Sequence, residues 1–248
     1  MNTIKERPIL FSAPMVRAML EGRKTVTRRP VKGLKTDNPV VAAADGTPIR
    51  SGACWDIGGP VIHCPYGKPG ERLWVRETWG RTYNANGQDD WPGRPHIARE
   101  DDDIVTIYRA DGPWAWCDDD GFGTDRSYWK PSIHMFRRDS RILLEITDVR
   151  VERLQDISDE QAIAEGCFFT DYGRKCGHGG LGWRDATACE YPDTHHPQRD
   201  GWMWDKTTSH EQCLGAPRWA FANLWNSTGG NWDANPWVWS ISFKQVTP

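Results

Sequence analysis

The chain has 248 residues, of which 31 are Lys or Arg and 34 are Asp or Glu, so its formal net charge at pH 7 is -3. The sequence therefore lacks the basic excess that dominates affinity for long nucleic acids, and any contact with RNA or DNA has to be local. Its hydrophobic content of 38% is typical of a globular protein, and no apolar run approaches the ~20 residues that a membrane helix needs. We expect a cytoplasmic protein without a membrane partner.

A short helix and a strand are the first predicted elements. Ser12 is placed to cap the helix, and Gly22 is placed to end it. Apolar residues recur within the helix at i, i+3 and i+4 spacing, namely Val16, Met19 and Leu20. Residues 25–29, with the sequence TVTRR, then predict a strand that Pro30 closes.

The middle of the chain combines strands with long loops. Alternating or β-branched residues predict strands over residues 72–79, 104–109 and 140–154. A Gly- and Pro-rich composition or a lack of periodicity predicts three loop insertions, at about residues 31–70, 80–131 and 167–215. The second insertion contains the short strand 104–109.

The residues ISDEQAIAEG predict a clearly delimited helix, with Ser158 as its N-cap, Gln161 completing a capping box and Gly166 ending it. Another helix starts near Pro217 and turns three apolar residues inward, namely Phe221, Leu224 and Trp225. The segment PWVWSISFK predicts a closing strand. Short strands interrupted by short helices, without a βαβ rhythm, favour an α+β fold built as a small mixed barrel. We expect a single domain over residues 1–248.

Glu165 occupies an unusual position for a carboxylate, because it falls in the last turn of its helix. The helix dipole disfavours a negative charge there by ~0.3 to 1 kcal/mol. The dipole therefore favours the protonated acid, as a general acid or proton shuttle requires, and Glu165→Gln is expected to raise stability slightly. The alternative interpretation is an exposed carboxylate at a frayed helix end.

Lys24 and Thr27 lie within a cluster of four cations, in the run GRKTVTRR. The neighbouring arginines lower the expected pKa of Lys24, which suits a base that activates the Thr27 hydroxyl as a nucleophile. The stem of Lys24 is long enough to bend back toward the following strand. The alternative interpretation is a solvated cationic turn without a catalytic role.

Four segments, in this order, resemble the ASCH domain family of the PUA-like fold: ILFSAPMVRAMLEGRKTVTRR, KPGERLWVRETW, ISDEQAIAEG and NPWVWSISFK. The long form with RLWVRETW is similar to phage- and prophage-encoded members. Small bacterial members are N4-acetylcytidine amidohydrolases that use a Lys and a Thr of the GRKT-x-T run and a Glu of the later helix. The resemblance implies that Lys24, Thr27 and Glu165 are the catalytic residues.

Five further residues are candidates for binding a substrate: Arg29, Trp74, Arg76, Glu77 and Trp79. The two tryptophans have faces on which a nucleobase can stack, although most of the 15 Trp are expected in the core. Arg29 lies on the same strand face as the predicted nucleophile and can position the substrate or an oxyanion. Glu77 falls on an apolar strand face, where a carboxylate needs a partner such as Arg29.

Cysteine and histidine residues are frequent in the predicted insertion 167–215, namely Cys176, His178, Cys189, His195, His196, His210 and Cys213. These residue types suit Zn²⁺, but their spacing contains no CxxC pair, so the signal is weak. The odd total of seven cysteines fits reduced thiols. We predict no metal and no cofactor for catalysis.

Two functions from different classes follow. The first is an amidohydrolase that removes an acyl group from the exocyclic amine of an N4-acylated cytosine nucleoside. The alternative is a non-catalytic module that binds RNA or DNA and recognises a modified or flipped base, with GRKTVTRR at the phosphates. The sequence leaves the oligomeric state open.

Overall fold

The computed structural model describes residues 4–32, 40–42, 48–50, 63–83, 104–112, 128–178, 184–185, 189 and 198–247. Within these ranges the chain is a mixed α/β structure with several sheets and few helices, which agrees with the predicted α+β class. The sheets of the described residues show no closed barrel, and the PUA-like barrel stays a prediction. None of the helices in these ranges is long and apolar enough to cross a membrane.

The strands of the described residues are, in chain order, β1 (Glu6–Leu10), β2 (Val26–Pro30), β3 (Val40–Ala42), β4 (Pro48–Arg50), β5 (Arg72–Arg76), β6 (Trp79–Tyr83), β7 (Ile104–Tyr108), β8 (Leu143–Arg153), β9 (Phe168–Cys176), β10 (Arg184–Asp185), β11 (Gln198–Met203) and β12 (Trp237–Val246). The α-helices are α1 (Ala13–Leu20), α2 (Asp159–Ala164) and α3 (Pro217–Ser227).

The Cα positions divide the chain into two compact units, each assembled from separate stretches of sequence. One unit contains Met1–Glu21, His63–Val149 and Ser242–Pro248, and the other contains Gly22–Ile62 and Arg150–Ile241. The residues of β8 and of β12 are shared between the units. This division into units does not test whether the chain folds as one domain. The single domain expected from the sequence stays a prediction.

The first unit is built on β5, which pairs in parallel with β1 and antiparallel with β8. These three strands contribute deeply buried apolar residues to its core, among them Ile9, Leu73, Val75 and Leu144, each at most 2% exposed. A separate antiparallel pair is formed by β6 and β7. The predicted strands over 72–79, 104–109 and 140–154 are thus confirmed, with the first one divided between β5 and the start of β6.

Helix α1 follows the predicted pattern in part. Val16 and Met19 are buried as expected, whereas Leu20 is 44% exposed. Ser12 holds the N-cap position but makes no side-chain capping hydrogen bond. Gly22 has a φ of 74°, a left-handed conformation that glycine adopts readily and that ends the helix.

The second unit places β2 beside β12, with a hydrogen bond of 2.9 Å from the Val31 amide to the Trp237 carbonyl. Helix α3 buries the three apolar residues that the sequence turned inward, namely Phe221, Leu224 and Trp225. A three-stranded antiparallel sheet has the order β10-β9-β11, and β3 pairs antiparallel with β4.

All three segments predicted as loop insertions contain strands that the sequence did not predict, since most of β6 falls within 80–131. The pair β3 and β4 falls within 31–70, and the strands β9, β10 and β11 fall within 167–215. Strands of two or three residues, as β3, β4 and β10 are, leave no periodic signal. In β9, polar residues and a glycine interrupt the aromatic ones, and Phe169 remains 49% exposed. A partly open sheet of this kind lacks the clear alternation of a half-buried strand.

Candidate functional site

The end of α2 sets the position of Glu165. The helix begins as predicted, because the Ser158 hydroxyl accepts a hydrogen bond from the Gln161 amide and the Gln161 side chain accepts one from the Ser158 amide. It ends at the predicted Gly166, whose φ of 104° is left-handed. Two backbone hydrogen bonds, from the two residues after Glu165 to the last helical turn, complete a Schellman motif.

Glu165 is buried at this helix end. The residue is 3% exposed, so it is not the exposed carboxylate of a frayed terminus. Its backbone forms an antiparallel bridge with Lys24, and the Thr25 amide donates a hydrogen bond of 2.8 Å to the Ala164 carbonyl. These contacts hold the segment before β2 against the end of α2. They bring together two predicted catalytic residues that are 141 positions apart in the sequence.

The Lys24 side chain is fully buried and saturated with acceptors. Its Nζ donates to the Glu165 carboxylate oxygen Oε2 at 2.5 Å and to the Glu165 backbone carbonyl at 2.9 Å. A third hydrogen bond of 2.9 Å goes to the Val26 carbonyl, so the stem bends back toward β2 as the sequence suggested. The three N–H bonds of an ammonium group match these three acceptors.

Burial lowers the pKa of Lys24 from its ordinary value near 10.5, because desolvation penalises the charged form. The Glu165 carboxylate opposes this shift, and Arg29 adds to it. The sequence anticipated only the arginine contribution. Desolvation is the larger cause, and it favours a neutral amine that can accept a proton.

Arg28 extends the site into a chain of alternating charges. Its Nη1 donates to Glu165 Oε1 at 3.2 Å, and its Nη2 donates to Glu152 on β8. The Arg28 side chain is fully buried, with its guanidinium carbon 5.7 Å from the centre of the Phe221 ring. Each oxygen of the Glu165 carboxylate thus faces a different cation. This geometry fixes the carboxylate orientation and leaves Oε2 directed at Lys24.

Thr27 is 2% exposed and lies in β2 between Val26 and Arg28. Successive strand residues point to opposite faces, so Thr27 shares a face with Arg29 and not with Arg28. Among the described residues, its hydroxyl makes no direct hydrogen bond to Lys24 or Glu165. Of the three predicted catalytic residues, Lys24 and Glu165 are therefore in direct contact, and Thr27 lies in the adjoining strand β2.

Arg23 and Cys167 flank the pair. Arg23 donates from Nη1 to the Gly166 carbonyl at 2.6 Å, and its guanidinium carbon lies 4.6 Å from the centre of the Phe168 ring. Burial, with a smaller contribution from Glu165, raises the pKa of Cys167 to about 12. Its thiol therefore stays protonated near neutral pH and does not act as a nucleophile.

Glu152 and Arg28 are members of this network that the sequence did not assign to the catalytic set. Arg28 was visible only as one charge of the cationic run. No local signal marks Glu152, because its role depends on β8 lying near β2 in the folded unit. A carboxylate in a strand is ordinarily a solvent-facing residue.

The two predicted stacking residues, Trp74 and Trp79, lie in the first unit, and both are buried. Trp74 is 8% exposed, with the Arg76 guanidinium carbon 4.6 Å from its ring centre. Trp79 is 1% exposed, and two cations lie over its ring: Lys130 at 4.9 Å and Arg81 at 5.4 Å. Stacking of a base on Trp79 stays a prediction and requires those side chains to move.

Glu77 is 1% exposed, as its place on an apolar strand face predicted. Its partner is Arg141 and not Arg29, since Arg141 donates from Nε and Nη2 to its two carboxylate oxygens at 3.0 and 3.1 Å. Arg141 also pairs with Asp111 and lies 3.9 Å over the Tyr108 ring. Burial raises the pKa of Glu77, and Arg141 opposes that shift. A substrate role for Glu77 stays a prediction.

Three of the predicted metal-ligand candidates meet in the second unit. Cys176, His178 and Cys189 have ligand atoms that all lie within 4.8 Å of one another. Cys213 instead has its sulfur 4.0 Å from the Thr207 hydroxyl. His195, His196 and the His210 side chain lie outside the described residues.

Comparisons of the chain with protein-family models, with curated proteins and with solved structures found no match. The resemblance to the ASCH family therefore depends on the four sequence segments.

Proposed function

We propose that the chain is an amidohydrolase that removes the acyl group from N4-acylated cytosine nucleosides, converting N4-acetylcytidine to cytidine and acetate. The proposal includes membership of the ASCH family and the PUA-like fold, on the basis of the four similar sequence segments. The observation that carries it is the buried contact of 2.5 Å between Lys24 and Glu165. The family resemblance selects these two residues, and a plain cationic turn gives no reason for them to meet.

The Lys24–Glu165 pair has two forms of equal net charge. In one form Lys24 is an ammonium and Glu165 a carboxylate; transfer of one proton across the 2.5 Å contact gives a neutral amine and a carboxylic acid. Burial lowers the pKa of Lys24 and so favours its neutral amine form, while Arg28 holds the carboxylate in place. The neutral form contains both a general base and a general acid.

The reaction uses that pair as follows. The Lys24 amine takes a proton from the attacking oxygen, which forms a bond to the acyl carbon. The acyl C–N4 bond breaks, and the Glu165 carboxyl group gives its proton to N4, which leaves as the cytosine amine. One water is consumed in total. The pair ends as ammonium and carboxylate, and proton transfer between the two side chains restores the starting form.

The attacking oxygen belongs either to Thr27 or to water. Attack by Thr27 gives an acyl ester that water then hydrolyses, with Lys24 again taking the proton. Direct attack by water forms no ester on the chain. Arg29, on the Thr27 face of β2, is placed to steady the developing oxyanion in either route.

The alternative function, a module that binds RNA or DNA through the GRKTVTRR run, is less compatible with the burial of its cations. Lys24 and Arg28 have fully buried side chains, and both are engaged by carboxylates. Arg23 is engaged by a backbone carbonyl and an aromatic ring. A phosphate contact by Lys24 or Arg28 requires the site to open, and so does the approach of an acylated nucleoside to the buried Lys24–Glu165 pair. What favours the enzyme is that the family resemblance selects Lys24 and Glu165 together and gives their contact a use. We therefore place the enzyme first.

The test is turnover of N4-acetylcytidine by the purified full-length chain, followed by chromatography of cytidine. We expect cytidine from the parent protein and a loss of several orders of magnitude in Lys24→Met and Glu165→Gln. Glu160→Gln is the matched control, because Glu160 is an exposed carboxylate of the same helix α2. If the parent releases no cytidine, or if the site variants match the control, the assignment is wrong.

A further inference from the structure

The Cys176, His178 and Cys189 cluster lies at one end of the β10-β9-β11 sheet. Cys176 is the last residue of β9, and His178 follows in the turn. Cys189 comes four residues after β10, which pairs antiparallel with β9 so that Arg184 is opposite Cys176. The strand pairing therefore brings back to the end of β9 a cysteine that is 13 positions away in the sequence.

The spacing of the three ligand atoms is that of a metal site. The two sulfur atoms are 3.3 Å apart, and His178 Nδ1 lies 3.4 Å from Cys176 Sγ and 3.6 Å from Cys189 Sγ. A tetrahedral zinc with ordinary bond lengths separates two sulfur ligands by about 3.8 Å and a sulfur from a nitrogen ligand by about 3.6 Å. The three atoms thus form one face of such a tetrahedron, slightly contracted.

A disulfide and simple hydrogen bonding both fit this geometry less well than a shared ion does. A disulfide needs its sulfurs about 2.0 Å apart and gives the imidazole nitrogen no reason to approach both of them. Hydrogen bonding alone gives little stabilisation, because thiols are weak donors and weak acceptors. A nitrogen at nearly equal distances from two sulfurs is the arrangement expected when all three bind one metal.

We propose that Cys176, His178 and Cys189 bind a Zn²⁺ ion. Two thiolates neutralise the ion, and the imidazole is a third ligand of the kind that zinc prefers. The fourth tetrahedral position is left for water or for another donor. The ion ties Cys189 to the end of β9, a link that the short β10 strand supplies only weakly. It is separate from the Lys24–Glu165 pair, and neither proposal depends on the other.

The first experiment measures the metal content of the full chain, purified under reducing conditions with added Zn²⁺ and then freed of loosely bound ions. We expect one zinc per chain by plasma mass spectrometry. Cys189→Ser should lose it, because the serine hydroxyl is a poor zinc ligand. Cys213→Ser is the matched control and should keep it, since Cys213 lies outside the cluster. A parent protein that holds no zinc, or a Cys189→Ser variant that retains it, overturns the proposal.

The second experiment keeps the proposal testable even if a cysteine variant does not fold. Co²⁺ added to the unmutated, metal-free protein should give thiolate-to-metal charge-transfer absorption and the intense visible bands of a tetrahedral site. Added Zn²⁺ should displace them. The same sample should show both thiols protected from alkylation only while metal is bound. A spectrum without thiolate bands, or a Cys176–Cys189 disulfide that survives the reducing purification, refutes the assignment.

Discussion

Replacing Glu165 with Gln is the most informative single change, because it removes one charge from a buried network and preserves the side-chain volume. Glu165 faces Lys24 at 2.5 Å and Arg28 at 3.2 Å, and all three side chains are at most 3% exposed. Removing one partner of a buried pair typically costs about 3 to 5 kcal/mol, since the remaining charge stays buried. The amide oxygen of Gln can still accept one hydrogen bond, so we expect the lower end, about 3 kcal/mol.

This expectation reverses the one drawn from helix position alone. At the C-terminus of an isolated helix, removing a carboxylate relieves an unfavourable dipole interaction of ~0.3 to 1 kcal/mol. In the folded chain two cations contact the carboxylate. The free-energy cost of leaving them without this partner is several times larger than the relief of the dipole interaction. The amide nitrogen of Gln also presents a donor to a group that has only donors, whichever cation it faces.

The measurement is the free energy of unfolding in urea or the melting temperature by circular dichroism. For a chain of this size, a loss of about 3 kcal/mol lowers the melting temperature by roughly 6 to 12 °C. Glu160→Gln, the exposed control on the same helix, should lower the melting temperature far less than Glu165→Gln does, because solvent screens its charge in both proteins. A Glu165→Gln protein that melts at or above the parent temperature would refute the buried network, and with it the proposed orientation of the acid.

Four further predictions concern activity. Turnover should fall at alkaline pH as the Lys24–Glu165 pair loses its one proton to solvent, because Glu165 then has no proton to give to N4, and the midpoint should lie below the ordinary lysine value because burial lowers the pKa of Lys24; Lys24→Arg, which keeps a proton at every accessible pH, should be inactive across the same pH–rate profile. Thr27→Val should abolish turnover but not nucleoside binding if an acyl ester forms at Thr27, and parent-like turnover would select direct attack by water. Arg29→Glu should lower kcat/KM without abolishing folding. If the parent protein never releases cytidine but binds RNA or DNA, and the Arg29→Glu variant loses that binding, the binding-module hypothesis takes precedence. A strong chelator should leave turnover intact while it strips the proposed zinc, since the Lys24–Glu165 pair and the attacking oxygen supply the acid, base and nucleophile. Loss of turnover that Zn²⁺ restores would contradict this last prediction.

Local rules predicted the elements whose signals lie within a few residues. The capping box of Ser158 and Gln161 and the left-handed Gly166 both follow from backbone chemistry that acts over one helical turn, and both are confirmed. The apolar face of α3 was predicted from its helical spacing in the same way, and its residues are buried. Helix boundaries could therefore be predicted, and with them the position of Glu165 at a helix end.

Residues whose role depends on tertiary neighbours could not be predicted in the same way. Glu152 has no sequence signal, and the partner of Glu77 is Arg141, 64 positions away. The cysteine cluster was missed as a specific set for the same reason. Its ligands have no CxxC spacing, and they meet only because β10 pairs back onto β9. In each case the strand pairing of the fold supplies the proximity.

The energetic cost of the Lys24–Glu165 pair is itself an argument for function. Desolvating an ammonium and a carboxylate cancels most of their attraction, and apolar residues of similar size often give equal or greater stability. Arg28 adds to this cost, because its buried guanidinium donates to the Glu165 carboxylate on one side and to Glu152 on the other. A chain selected for stability alone has little reason to keep four interlocked charges at the end of one short helix. Proton transfer at a fixed distance requires such an arrangement, because acid and base must both be dry and immobile before the substrate arrives.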